Sequence, residues 1–281
     1  MKRMFSLCFL SLLLIFVFSG CLNTGLNYNP ESSGRLNLYI TDAVVPIDEI
    51  EHVYVNIKNI SLYGGPVDNP VLQVSDEQKV VDLFDLIGTE LDLATVEGTG
   101  TYNQIRFEVS DATVTILSED YTVEVKSGTV KLNIPVDFSE DLEVLLDFDL
   151  SKSLKVQGKW DPEDPVKLLM TPVVTVRFGL AYDVSGIIVP HESIYLLALG
   201  DFENEENPET IFTTFTHCES NKWIEGEFRF PKIPQGDYTL RIFNKDVYAL
   251  ENFDILNDIP VKEIDVQVEN ANLNLGNIYI E

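Results

Sequence analysis

Leu142-Glu143-Val144-Leu145-Leu146-Asp147-Phe148-Asp149-Leu150 is the stretch on which the fold turns. Leu142, Val144, Leu146, Phe148 and Leu150 share one phase of a two-residue period, with Glu143, Asp147 and Asp149 on the other. Side chains alternate across a strand, so this segment has an apolar face and an acidic one. The pattern predicts a strand of an antiparallel sheet, packed on one side and wet on the other. Outward from it the same alternation recurs. Leu36, Leu38 and Ile40 alternate with Asn37, Tyr39 and Thr41, and Val53, Val55 and Ile57 with Tyr54, Asn56 and Lys58. The next apolar pair, Ile60 and Leu62, is out of phase by one, which predicts a β-bulge near Lys58-Asn59. Ile105-Phe107-Val109, Val123-Val125 and Leu132-Ile134-Val136 add further strands, while Val80–Leu86 suits a short helix or a strand. With no long amphipathic helical period in the chain, the expected class is all-β, built as antiparallel β-sandwiches.

The chain has 281 residues, enough for two domains of common size, and is 45% hydrophobic and 23% charged, the composition of a folded globular protein. The two prolines of Trp160-Asp161-Pro162-Glu163-Asp164-Pro165 mark a loop, after which Val173–Phe178 closes a first domain, 34–178, with the boundary near Gly179. In the second domain, 179–281, strands are expected at Ile194–Leu199, Ile211–Thr216, Glu227–Phe230, Tyr238–Phe243, Ile264–Val268 and Asn277–Ile280. Its length suits a seven-strand sandwich.

Acid dominates: 46 Asp and Glu against 19 Lys and Arg give a formal charge of −27. The excess is shared, net −15 over residues 32–178 and −13 over 179–281, so it is a property of the whole surface and not of a tail. Such a balance argues against a nucleic-acid partner and against polybasic docking on anionic lipid.

The N-terminus reads as an address. Lys2 and Arg3 precede a mostly apolar run, Met4–Phe18, whose helix would be about 22 Å long, short of the roughly 30 Å bilayer core. Residues 1–20 are therefore read as a signal peptide. Phe18-Ser19-Gly20-Cys21 resembles the bacterial lipobox, which implies cleavage before Cys21 and diacylglycerol on its thiol. Leu22 in place of Asp implies sorting to the outer membrane by the usual lipoprotein rule, with the periplasmic or surface face left open. Residues 21–33 form the lipidated tether. Once Cys8 is removed and Cys21 lipidated, Cys218 is left alone, so the mature chain has no intrachain disulfide.

Gly34-Arg35-Leu36-Asn37-Leu38-Tyr39-Ile40-Thr41-Asp42-Ala43 resembles the opening of a bacterial lipoprotein domain of unknown function, family 4382. Glu51–Ile57, Val81-Asp82-Leu83, Tyr102–Arg106, Leu146–Leu150 and Met170-Thr171-Pro172-Val173 continue the resemblance across residues 33–178. It implies an exported or surface sandwich and no known reaction. Phe228–Leu240, with Val184-Ser185-Gly186 as the early motif, is similar to carboxypeptidase-regulatory-like, or transthyretin-like, sandwiches, which implies a spacer or binding module.

Little catalytic chemistry is written in the chain. It has no nucleophile elbow, no Gly-rich phosphate loop and no C-x-x-C pair. His191-Glu192 begins like a zinc-protease motif, but the second His is missing. His217 and Cys218 are strand neighbours pointing to opposite faces, and the thiol is read as a half-buried, inert one. Carboxylates are abundant, so Ca²⁺ is the one cofactor considered, with Asp201, Glu203, Glu205 and Glu206 as candidate ligands in the acidic stretch Asp201–Glu209 and Asp137–Glu143 as a second stretch. Neither follows the EF-hand template, and the default reading is no cofactor. Tyr39, Tyr54, Trp160 and Trp223 are aromatics that could stack on sugars. The expected function is a non-catalytic, lipid-anchored envelope protein displaying a binding or scaffolding surface to a protein or glycan partner. The alternatives are a passive structural component and a carbohydrate-binding or carbohydrate-hydrolysing surface protein.

Overall fold

The computed structural model describes residues 33–43, 50–157, 167–179, 182–191, 193–202, 211–248 and 252–280. Residues 1–32, with the expected signal peptide, the lipobox-like stretch and Cys21, lie outside these, as do Trp160 with the loop expected around it and Glu203, Glu205 and Glu206. Strands dominate. They are β1 (Ser33–Ala43), β2 (Ile50–Tyr63), β3 (Val71–Ser75), β4 (Lys79–Asp82), β5 (Leu91–Thr99), β6 (Thr101–Tyr102), β7 (Gln104–Ile116), β8 (Glu119–Val125), β9 (Thr129–Leu132), β10 (Val136–Asp137), β11 (Leu142–Asp149), β12 (Leu154–Gln157), β13 (Lys167–Met170) and β14 (Val174–Arg177). Then come β15 (Tyr182–Val189), β16 (Leu196–Gly200), β17 (Phe212–Phe215), β18 (Glu227–Ile233), β19 (Gly236–Phe243), β20 (Lys262–Val268) and β21 (Leu273–Tyr279). The all-β expectation holds.

Twelve of the first fourteen strands form a sandwich, with β6 and β10 paired separately. One layer runs β14-β11-β1-β5, and the other runs β12-β13-β8-β7-β2-β3 with β4 and β9 attached to it. The apolar phases meet between the layers: Leu36, Leu38 and Ile40 of β1 and Val144, Leu146 and Phe148 of β11 share a core with Val53, Val55, Ile57, Ile105 and Phe107. Seven strands make a second sandwich, β18-β15-β21 over β17-β16-β19-β20, with its own core around Val184, Leu197, Phe228, Phe230 and Leu240. A third apolar cluster joins them: Ile87, with Phe84 beside it, packs with Leu196, Ala198, Phe243 and Tyr248. Residues 33–281 accordingly form one compact unit.

The predicted bulge is present. The β2–β7 register shifts between Lys58 and Ser61, and Asn59 takes φ +55°, a left-handed conformation that Asn tolerates better than most residues. The slip lets Ile57 and Ile60 both point into the core. Val80–Leu86 proves to be strand and helix in turn, β4 followed by a 3-10 turn at Phe84–Leu86. Asp82 makes the change, its Oδ1 accepting from the Phe84 N–H at 3.1 Å and the Val53 N–H at 3.2 Å.

Three expectations need correction. The sheets are mixed and not purely antiparallel, since β1 runs parallel to β11, β8 to β13 and β15 to β21. Sequence period alone does not distinguish the two senses, because both alternate in the same way. Tyr182–Val189 is a full strand at the centre of its layer, where the sequence reading drew only a short motif. The third correction concerns the acidic face of Leu142–Leu150, which is covered at Leu145 and Asp147.

Candidate functional site

Leu145 and Asp147, on the outward phase of β11, are only 1% and 6% exposed. The second sandwich lies over them. Parallel pairing places Thr41 of β1 beside Asp147, and antiparallel pairing places Arg177 of β14 beside Leu145. Arg177 donates from Nε to Asp147 Oδ2 at 3.0 Å, and its Nη2 bonds the same oxygen. It also reaches across the seam, where Nη2 donates to the Ile211 carbonyl at 3.3 Å and the guanidinium lies 4.0 Å from the centre of the Phe212 ring. Both members of this ion pair are about nine-tenths buried. Asp147 Oδ1 finds no hydrogen-bond partner among the described residues.

Two more cations reach in from β18. Arg229 joins Asp183 of its own sandwich (2.8 Å) to Glu90 of the other (3.4 Å). Lys232 places Nζ 4.0 Å from the centre of the Tyr39 ring and 3.4 Å from Glu143 Oε2. Lys232 sits at φ +55°, a conformation uncommon for a long side chain, and its N–H is held by Asp183 Oδ1 at 3.1 Å. Tyr39 therefore points away from its own core, as the sequence predicts, but ends under Lys232 and not in solvent. Burial, then the charge of Glu143, push its phenol upward.

The 86–89 turn forms the far end of the seam. Thr41 Oγ1 donates to the carbonyls of Leu86 (3.2 Å) and Thr89 (2.7 Å), pinning the turn to β1. Gly88 takes φ +70°, and a Cβ built there would lie 2.9 Å from the Arg229 carbonyl oxygen and 3.0 Å from His217 Nε2. Only glycine lets the two backbones come this close. Between these contacts lies a cavity of about 20 Å³ lined by Thr41, Asp42, Gly88, Asp147, Arg177 and Thr213. That is room for one water molecule and for no organic ligand. The arrangement can lock two sandwiches; it does not present a substrate to a reactive group.

The sequence-predicted residues are scattered. Asp201 follows β16 and, with Asp237 and Asp265, lines an open cleft of about 490 Å³. Among the described residues no three His, Cys, Asp or Glu side chains gather in a metal-holding group. In the second acidic stretch, Asp137 Oδ1 accepts from Ser139 N–H (3.0 Å), Asp141 Oδ1 from Arg35 N–H (2.9 Å), and Glu143 faces Lys232. His191 Nδ1 is 2.8 Å from the Ile188 carbonyl oxygen. Cys218 is free and exposed, more so than expected. Trp223 stacks on His217 with ring centres 3.8 Å apart. Tyr54 stacks on His52 at 5.5 Å on the face of the larger layer that no described residue roofs. The seam residues Arg177, Arg229, Lys232 and Gly88 were not singled out by sequence reasoning. Leu145 is the signal that would have found them: an apolar side chain on the acidic phase of β11 needs a cover.

No helix among the described residues is long and apolar enough to cross a membrane. No curated protein matches the chain. Solved structures aligned with it include the major pilin BcpA of Bacillus cereus, in its D312A form (10% identity, 88% of this chain and 99% of that one, TM-score 0.23). The minor pilin GBS52 of Streptococcus agalactiae aligns at 10% identity over 88% and 96%, with TM-score 0.20. The shaft pilin SpaA of Lactobacillus rhamnosus GG, in its E269A form, aligns at 10% over 88% and 96%, with TM-score 0.23. At such scores the superpositions carry no functional argument. The sequence match is more specific: residues 33–162, most of the first sandwich, match the family model described as "Domain of unknown function (DUF4382)".

Proposed function

We propose that the chain is a non-catalytic, lipid-anchored scaffold of the bacterial envelope. In this reading modules 34–178 and 179–281 stand as one rigid body on the tether 21–33, which is fixed to the outer membrane through Cys21. The second module is read as a transthyretin-like spacer, and its seven strands in layers of three and four support that. The observation that carries the proposal is the seam. Arg177, Arg229 and Lys232, drawn from a chain with only 19 Lys and Arg, meet carboxylates where the two sandwiches touch. Rigidity is what a spacer or display protein needs, because a freely hinged second module would present its surface in no fixed direction. The test is fractionation and protease shaving of intact cells, with Cys21→Ala as the unanchored control. Wild type should sediment with membranes and Cys21→Ala should be released. Equal sedimentation of the two would sink the lipid anchor, and cleavage that frees 179–281 at low protease would sink the rigid body.

A second reading, glycan display, is favoured by the His52–Tyr54 stack, which stands half-exposed on a sheet face that no described residue roofs. Its test is retention on immobilised envelope or host glycans. Loss of retention in Tyr54→Ala would support it, and absence of retention in wild type would end it.

A further inference from the structure

The loop 217–226, between β17 and β18, is a closed turn. The His217 N–H donates to the Glu227 carbonyl at 2.8 Å, the Gly226 N–H to the His217 carbonyl at 2.9 Å, and the Ser220 N–H to the Trp223 carbonyl at 3.0 Å. Its tip touches the first sandwich. Lys222 Nζ donates to the Asp85 carbonyl at 3.3 Å, and His217 is pressed between the Trp223 ring and the Gly88 turn. The two rings are 5° from parallel. His217 Nε2 is buried, with no hydrogen-bond partner among the described residues.

We propose that this loop is a proton-sensitive latch, which stays closed on itself and against the 85–88 turn while His217 is neutral and opens, giving up its own turn hydrogen bonds, when that imidazole takes up a proton. An imidazolium must solvate both of its N–H groups, and Nε2 cannot reach an acceptor while the loop is docked. The titratable and charged groups of the surrounding elements are Lys222, Glu219, Glu225 and Glu227 on and beside the loop, His191, which packs on Gly226 after β15, Arg229 on β18, and Asp85 and Glu90 on the first sandwich. Of these, Lys222 acts on the ring, and it repels a second cation. The Trp223 face favours a cation, so burial has to outweigh that attraction.

Burial, and after it Lys222, push His217 down to about 4 from 6.5. A base held below its unfolded value contributes its full stability above about pH 6.5, loses it progressively as pH falls, and contributes nothing below about 4. Applied to the docked and released loop, the closed-to-open ratio falls roughly 20-fold between pH 7 and pH 5.

The experiment is hydrogen exchange of the full chain at pH 7 and pH 5, corrected for intrinsic exchange, followed for the amides of His217, Ser220 and Gly226. Protection in the loop should fall on the order of 20-fold in wild type, while amides of β2 and β7 stay unchanged. In His217→Gln the loop's protection should not depend on pH. A wild-type loop equally protected at both values overturns the proposal, as does an equal loss in His217→Gln. Should the variant fail to fold, the ring proton of wild-type His217 decides by NMR titration. A midpoint at or below about 5 supports the latch, and one above about 5 overturns it. None of these readouts depends on whether Cys21 carries lipid.

Discussion

On β11 the outward phase is covered at Leu145 and Asp147, 1% and 6% exposed, and opens at Glu143; on β2 the outward phase is half-exposed at His52, Tyr54 and Lys58 and buried at Asn56. Both strands alternate with the same period and both read as half-wet. The difference is what lies above them. β11 is roofed by the second sandwich, and β2 has no roof among the described residues. Polar groups on the two faces are therefore satisfied in different ways. On β2 and its neighbours the pairs keep at least one partner half-exposed, as in His52 with the buried Asp82 at 2.6 Å, or the bonds of Lys126 and Lys167 to Glu124. On β11 the carboxylate of Asp147 has lost its water and depends on one arginine. Desolvation makes such a pair hard to break without making it a large net gain.

The comparison can be broken most readily at Arg177. Arg177→Ala leaves Asp147 charged, buried and alone, and should lower stability by about 3–5 kcal/mol in urea unfolding. Gly88→Ala comes next. Its positive φ and the approach of the Arg229 carbonyl together should remove about 1–3 kcal/mol, read from the same urea midpoints. Lys232→Met should cost about 1 kcal/mol at low salt, because its partner Glu143 is 41% exposed; that loss should shrink in 1 M salt. The smallest effect belongs to the open face. Glu124 is held down to about 2 by hydrogen bonds from Lys126 and then Lys167, but it and both lysines are about half-exposed, so solvent screens the pairs. Glu124→Gln should leave the urea midpoint unchanged. The sign of its pH dependence is that of a depressed carboxylate, intact above about 4.5 and lost only as pH falls through about 2. A loss in Glu124→Gln as large as that in Lys232→Met would erase the distinction between the two faces.

Strand phase was legible in the sequence because burial selects one side of each strand: Leu36-Leu38-Ile40, Val53-Val55-Ile57 and the slip at Lys58-Asn59 all reappear as read. Strand direction was not, since β1 against β11 alternates identically in either sense. The roof was written only faintly. Leu145 on an acidic phase hints at it, but the cations that complete it lie at positions 177, 229 and 232, far along the chain, and no local period connects them to β11. Gly88 likewise looks like an ordinary turn glycine until the Arg229 carbonyl is brought against it. The calcium candidates share this limit, because acids near in sequence become ligands only when the fold turns their oxygens to one point, and Asp201 alone of the four lies among the described residues.

Calorimetric unfolding of the full chain, wild type beside Arg177→Met, tests most directly whether the two sandwiches are one body. One cooperative transition in wild type, separating into two in Arg177→Met, is the result predicted here. Two independent transitions in wild type, with the variant altering only one of them, would contradict it.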